Sequence, residues 1–356
     1  MRIRALITEA IANLISGTTH AGFLVLAFSL IVGGIAFLDS QQLLAIIDQA
    51  ESFQTSGAAV QIINSTGEID GRQCDAIGRY APIEAAGALR PGNQLRAVAV
   101  PDMQINTWEV TPGLVRLLPL ISPIETSGLD GVWVSDDLAR SLGLRPGASL
   151  VTTVGRVRVA GVYSWVEDGR SRDLGYSLLI PTISDERFSS CWAEIWPQDL
   201  SARSLLYLSV TGDIVESSFG QLNTSLGATL NTTYLFQSRT TRYAGYLTAL
   251  LGAALGFGVI WLRRLELSSS LHARVKKTDL LWQHLFEALG WVLPGSIISF
   301  AIVVLTTVVL SRTELSIIAN IGARTILAGA LGALLATLIG VALQKEKHLF
   351  KLFKRR

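Results

Sequence analysis

Four stretches of the chain, 10–38, 243–262, 288–311 and 325–344, carry no charged residue. Each is about 20 residues or longer, enough for a helix to cross a ~30 Å hydrocarbon core. Backbone groups in lipid must pair within the segment, so helix is the expected form. Buried helices of a large soluble protein are the competing reading, but uncharged runs of this length are rare there. The first run is too long and starts too far from Met1 for a cleavable leader, and no small-x-small site follows Leu38, so it reads as a retained anchor. Ahead of it, Ile3, Leu6, Ile7, Ala10, Ile11, Leu14 and Ile15 fall on one helical face, which predicts an amphipathic helix at the inner leaflet. Past Leu38 the helical spacing persists through Leu43, Leu44, Ile47 and Ala50; the stretch 214–230 is read as its returning counterpart, the two forming a helical stalk. Between them the period shortens. Segments 58–64, 94–101, 131–135, 149–155, 157–165, 176–181 and 204–210 read as strands, with a short helix at 136–143 capped by Ser135 or Asp136 and ended by Gly143.

The predicted architecture is an α-helical membrane protein with four transmembrane helices and an α+β extracytoplasmic domain, large enough for its own core, on a helical stalk. Its parts are an amphipathic helix at 1–20, spans at 21–39, 244–262, 288–311 and 325–344, the domain with its stalk at 40–243, a cytoplasmic segment at 263–287, a short outer loop at 312–324 and a basic tail at 345–356.

Composition supports this, with 49% hydrophobic and 16% charged residues, against roughly 25% charged in soluble chains. Charge sets the orientation. The predicted cytoplasmic segments hold 13 basic and 5 acidic residues, including all six lysines, whereas 40–243 holds 15 arginines and 21 acidic residues. Both termini are therefore expected inside and 40–243 outside. The basic tail fits anionic lipid headgroups, and beside a span it argues against a nucleic-acid partner. Cys74 and Cys191, the two cysteines, both fall in the outer domain, where a disulfide between them is expected.

Candidate chemistry is sparse. The chain has no G-x-x-x-x-G-K-[ST] phosphate loop, no G-x-S-x-G and no H-E-x-x-H. Its four histidines, His20, His272, His284 and His348, fall on the predicted cytoplasmic side, and the outer domain holds one methionine, Met103. Metal sites built on those residue types are disfavoured outside, and nothing argues for an enzyme. Asp39, Glu287, Arg312 and Arg324 only border the spans, which counts against an ion path through the bundle. Gly252 and Gly256, and Ala328, Gly332, Ala336 and Gly340, recur at every fourth position, a pattern that allows close helix approach. Pro294 predicts a kink, and Trp261, Trp282 and Trp291 suit interfacial depths. In 263–287, Leu280, Leu281, His284 and Leu285 share a helical side that fits either a groove on a cytoplasmic partner or the headgroup layer.

One helix, a large outer domain and then three helices resemble the plan of MacB/FtsX-like ABC transporter permeases, also called type VII or mechanotransmission ABC proteins. Arg263, Arg264 and Glu266, then Ala273, then Glu287-Ala288 are similar to the family's cytoplasmic coupling pattern; Arg274 and Val275 depart from it, where the family usually has Leu-Gly. In the outer domain, Leu138, Ala139, Leu142, Gly143, Gly147, Val159, Gly161 and Val162 fall on the pattern of the MacB-like periplasmic core, and 178–182 is also similar. The resemblance implies a non-catalytic permease subunit of the bacterial plasma membrane, without a cofactor of its own. It implies two copies of a separate ABC ATPase holding ATP and Mg, docked on 263–287 and on the N-terminal helix. It further implies a second permease, either another copy or a related chain, and motion carried through the stalk to the outer domain. Efflux or extraction of an amphiphile (an antibiotic, a peptide, a lipid-linked or haem-like molecule) is the first expected activity. Regulation of an extracellular cell-wall hydrolase is the alternative, and a membrane-anchored receptor without an ATPase the third reading.

Overall fold

The computed structural model describes residues 3–17, 19–128, 130–183, 186–310 and 315–345. Arg2, Arg312, and the predicted tail beyond Lys345 lie outside the described residues. Contacts divide the chain into a helical unit, Met1–Ile47 with Thr233–Arg356, and a sheet unit, Asp48–Thr232.

The chain starts with α1 (Ile3–Ile15), then α2 (Ala21–Phe28), a π turn at Ser29–Gly33 and α3 (Gly34–Thr55). Leu6 and Ala10 of α1 are buried, while Ile7, Ile11 and Ile15 are exposed, so the helix has two distinct apolar edges. From Ala21 to Thr55 the backbone is helical for 35 residues, or roughly 52 Å at 1.5 Å per residue. That exceeds the predicted span of 21–39, because the helical spacing of Leu43, Leu44 and Ile47 continues beyond it.

The sheet unit holds β1 (Val60–Ile69), α4 (Gly71–Ile77), β2 (Ile83–Pro91), β3 (Leu95–Ala97), β4 (Val100–Val110), α5 (Pro112–Ile121), β5 (Ile124–Thr126) and β6 (Val132–Ser135). It continues with α6 (Asp136–Leu142), β7 (Ser149–Val151), β8 (Arg156–Tyr163), β9 (Ser177–Pro181), β10 (Phe188–Ile195), α7 (Leu200–Arg203) and β11 (Ser218–Gln221). The strands run in the order β11-β1-β10-β2-β4-β9-β6-β8-β5, with β3 on β4 and β7 on β8. Pairs β4/β9 and β6/β8 are parallel and the other pairs antiparallel, as an α+β arrangement allows. On one face, Leu114, Leu117, Leu118 and Ile121 of α5 pack with Trp133, Leu179 and Trp192. On the other, Cys74 and Ile77 of α4 pack with Ile63, Phe188 and Cys191. Cys74 and Cys191 form a disulfide with 5.9 Å between Cα atoms and a sequence separation of 117; in the chain-entropy model a loop of that size contributes about 4–5 kcal/mol.

Three expectations are corrected here. The segment 204–210, read as a strand, is a 3-10 turn at Ser204–Ser209; consecutive Leu205, Leu206 and Tyr207 all lie against the α4-side core, which alternating strand geometry would not allow. The returning stalk helix at 214–230 is absent. In its place stand a 3-10 turn at Ile214–Glu216, then β11 pairing with β1 as an edge strand. The segment 312–324, read as an outer loop, is helical from Leu315 onward, since the last helix runs Leu315–Leu343. Strands β2 and β10 went unforeseen because β2, IEAAGALRP, reads as Ala- and Gly-rich. Its composition follows from packing, since a Cβ at Gly87 would lie 1.9 Å from the Leu114 backbone nitrogen of α5.

The helical unit resumes with α8 (Thr232–Ser238), a 3-10 turn at Thr240–Tyr243, α9 (Ala244–Leu262), α10 (Arg264–His272), α11 (Lys277–Leu310) and α12 (Leu315–Leu343). Among the described residues, four helices are long and apolar enough to cross a membrane: Ala21–Thr55, Thr240–Leu262, Lys277–Val309 and Leu315–Leu343. Their cores meet at Phe28, Val32, Trp291, Val292 and Ala333.

Candidate functional site

The segment 263–287 folds as a helix, a tight turn and the first turns of a second helix. α9 ends at Arg263, whose backbone leaves helical geometry (φ −92°, ψ 11°), and α10 begins at once. Leu267 of α10 is buried with Ile260 of α9, Leu280 of α11 and Val341 of α12, so the elbow is held by a small apolar core. The turn that follows places Arg274 at φ +64°. A β-carbon is disfavoured in that left-handed region, and this is one of the two positions where the chain departs from the Leu-Gly of the permease pattern.

On this elbow sits a buried polar hub. Glu287 accepts a hydrogen bond from Asn13 Nδ2 of α1 at 2.7 Å, pairs with the Arg263 guanidinium, and lies 2.9 Å from His284 Nδ1. Arg263 also holds Glu266 through two parallel bonds of 2.8 and 2.9 Å. Glu287 and His284 side chains are 6% and 5% exposed, while Glu266 reaches solvent. Burial works against the charged form of Arg263, but the bonds to Glu266 and Glu287 outweigh it and hold its pKa above the usual arginine range. A buried carboxylate needs such partners. The hub therefore ties together α1, the end of α9, α10 and α11. α1 is seated closely, since a Cβ at Gly290 of α11 would lie 2.5 Å from Leu14. Beside the hub a cavity of ≈ 140 Å³ opens between Leu6, Asn13, Glu266, Leu267 and His284.

The other predicted residues divide. The Arg264 guanidinium lies over the Trp261 ring, 4.7 Å from its centroid. Ala273 ends α10 with its backbone bonded to Ser269, and its side chain is exposed. Gly252 and Gly256 face α12, where added Cβ atoms would lie 2.1 Å from Gly329 O and 2.2 Å from Ala333 O. Gly332 returns the contact on Ala249 O, and Gly340 lies against Ile260. Ala328 and Ala336 are only half-buried, so the close contact runs through Gly329 and Ala333 rather than through those alanines. Of the four charges expected to border the spans, Asp39 and Glu287 are buried and Arg324 is exposed. Sequence reasoning missed Asn13 as the partner of Glu287, for which two residues 274 positions apart give no local signal.

In the sheet unit, a groove of ≈ 610 Å³ is lined by Ser52 and Thr55 of α3, Pro119 and Ile121, Val166 and Leu226. Its floor is fixed by Arg170, which donates to Ile121 O and Thr55 O at 2.7 Å each and pairs with Asp168.

No protein-family model matches the chain, and no curated protein does. Among solved structures, the chain is similar to the periplasmic region of MacB from Actinobacillus actinomycetemcomitans, with a TM-score of 0.36 and 11% identity, covering 49% of this chain and 94% of that one. It is also similar to a domain of a putative permease protein from Porphyromonas gingivalis, with a TM-score of 0.33 and 15% identity, covering 47% and 90%. At these values neither structure lends a residue role to this chain.

Proposed function

We propose that the chain is the permease subunit of an ABC-type transporter driven by a separate ATPase. The observation that carries this reading is the Glu287 hub, which joins four helical segments at the end of the helical unit that holds the predicted coupling residues. An ATPase docked on α10 and α1 pushes on elements that Arg263, Asn13 and Glu287 already hold together, so its closure is passed to α9 and α11 as one displacement. Glu266, exposed at the hub's edge, and Arg264 are the groups presented to that partner. Two ATPase copies, ATP and Mg on those copies, and a second permease complete the assembly. The groove in the sheet unit has the volume and the mixed apolar and hydroxyl lining suited to an amphiphile, which supports export or extraction as the coupled activity, at the outer face of a bacterial plasma membrane.

Mild detergent extraction of the full chain tests the assignment. A stoichiometric ATPase is expected in the extract. Glu287→Ala is expected to lower its recovery or its membrane-stimulated ATP hydrolysis at least tenfold, and Glu266→Ala to weaken recovery less. Recovery of the chain alone across several mild detergents would sink the proposal.

A further inference from the structure

At the opposite end of the same helices lies a second polar cluster that the coupling pattern does not include. Asp39 of α3 is buried, its side chain 3% exposed. Its Oδ1 accepts from the Thr241 hydroxyl at 2.6 Å, and its Oδ2 from the Thr325 hydroxyl of α12 at 3.4 Å. Gln42, one turn on, accepts from the Thr241 backbone N–H at 3.2 Å and donates to the Thr240 hydroxyl. Arg239 completes the cluster, its Nε 3.7 Å from Asp39 Oδ1 and its guanidinium 4.1 Å above the Phe236 ring. Three of the four apolar helices therefore meet on one carboxylate: the first through α3, the second through the turn at Thr240–Tyr243, and the fourth through Thr325.

Two features distinguish this cluster from a passive ion pair. It sits where the chain leaves the helical unit toward the sheet unit and where it returns. α3 runs unbroken to Thr55, and Arg239 follows within the α8 connection from Thr232. The Arg239 contact is also incomplete. At 3.7 Å it lies outside hydrogen-bond distance, and Arg239 Nε and Nη1 are shielded from solvent without a hydrogen-bond partner. Buried donors without partners are costly and rare. A shift of about 1 Å of Arg239 toward α3 would bring its Nε–H within the ~3 Å of an ordinary bond to Asp39 Oδ1. The cluster thus has a second, tighter setting within reach.

We infer that Asp39 is a positioning residue, the joint through which displacement of the coupling elbow is delivered to the two connections of the extracytoplasmic sheet unit. This inference rests on the proposed function. α9 and α12 are in contact through Gly252, Gly256 and Gly332, and Thr248 of α9 donates to Thr325 O at 2.9 Å. They move together, and a push on Arg263 at the end of α9 arrives at Thr241 and Thr325. Asp39 transfers it to α3, while Arg239 closes on the carboxylate in the displaced setting.

Hydrogen exchange of the full chain in lipid nanodiscs with its co-extracted ATPase tests this, with amides of 239–243 as the readout. In the unsubstituted chain these amides are expected to exchange slowly and to change rate at least threefold when ATP and vanadate trap the ATPase. Asp39→Asn is expected to speed their exchange at least tenfold and to abolish that response, while the response at 264–272 persists. Asp39→Glu restores both. Thr241→Val, which removes one hydroxyl, gives an intermediate acceleration and decides the matter if Asp39→Asn does not fold. Unchanged exchange at 239–243 in both Asp39→Asn and Thr241→Val overturns the joint. An outer response that survives Asp39→Asn overturns its role in delivery. If no ATPase accompanies the chain, the proposed function fails, and the nucleotide-free comparison still decides the joint.

Discussion

Glu194 shows how much a single residue's meaning depends on its neighbours. It lies on β10 between Val60 of β1 and Ala85 of β2, on the face that α5 covers. The side chain is buried, with Oε2 unpartnered, and burial first and the nearby charge of Glu84 second push its pKa up to about 7. In the unfolded chain the carboxyl ionises in the usual range near 4.5. Below that range both states carry the proton and there is no penalty. As pH rises toward 7 only the unfolded chain gives up its proton, so stability falls across that window and stays reduced above it. The loss is on the order of 3 kcal/mol. Denaturant unfolding of the full chain in nanodiscs between pH 4 and 8 is expected to show this decline, and Glu194→Gln to flatten it. A decline of equal size in the glutamine variant would assign it to other groups. The charge of Glu194 was visible in the sequence, but its burial was not, because FSSCWAEI does not alternate and gave no strand signal.

Among the elements, the contact between α9 and α12 is the one that fine geometry decides. Gly252 leaves room for Gly329 O only because it lacks a Cβ, whereas Gly258 on the same helix has nothing within 4 Å. Gly252→Val is therefore expected to wedge the helices apart and cost about 1–3 kcal/mol. Gly258→Ala is expected to be neutral or to stabilise by up to ~1 kcal/mol through helix propensity. Thermal unfolding of the two variants in one detergent checks the contrast, and equal destabilisation would show that the contact does not depend on the missing Cβ. The four-residue repeat of small residues was legible in the sequence. Which members make the contact was not: Gly332 and Gly340 of the repeat do, whereas Ala328 and Ala336 are half-buried and Gly329 and Ala333, outside the repeat, pack against Gly252 and Gly256.

For the whole molecule the test is topology. Both native cysteines are in the disulfide, so one introduced thiol reports its side of the membrane. Ile183→Cys, at a strongly exposed position of the sheet unit, is expected to react with a membrane-impermeant maleimide on intact cells. Arg274→Cys, in the elbow turn, is expected to react only after permeabilisation. The reverse pattern would invert the orientation read from the lysines.

The sequence by itself determined what is local or additive. Uncharged runs long enough for a bilayer, the bias of lysine to the predicted cytoplasmic segments and the β-rich stretch between them do not depend on which residues meet. Hence four apolar helices and an α+β unit could be read from pattern and composition. Tertiary structure decided the rest. It ended the helical pattern of the returning segment in an edge strand, because β1 offered an unpaired edge to 218–221. It turned 204–210 into a 3-10 turn against the α4-side core. It also assembled both polar clusters, Asn13 with Glu287 and Asp39 with Thr241 and Thr325, from residues more than 200 positions apart. A buried carboxylate selects its partners by distance and desolvation, and neither quantity exists until the chain has folded.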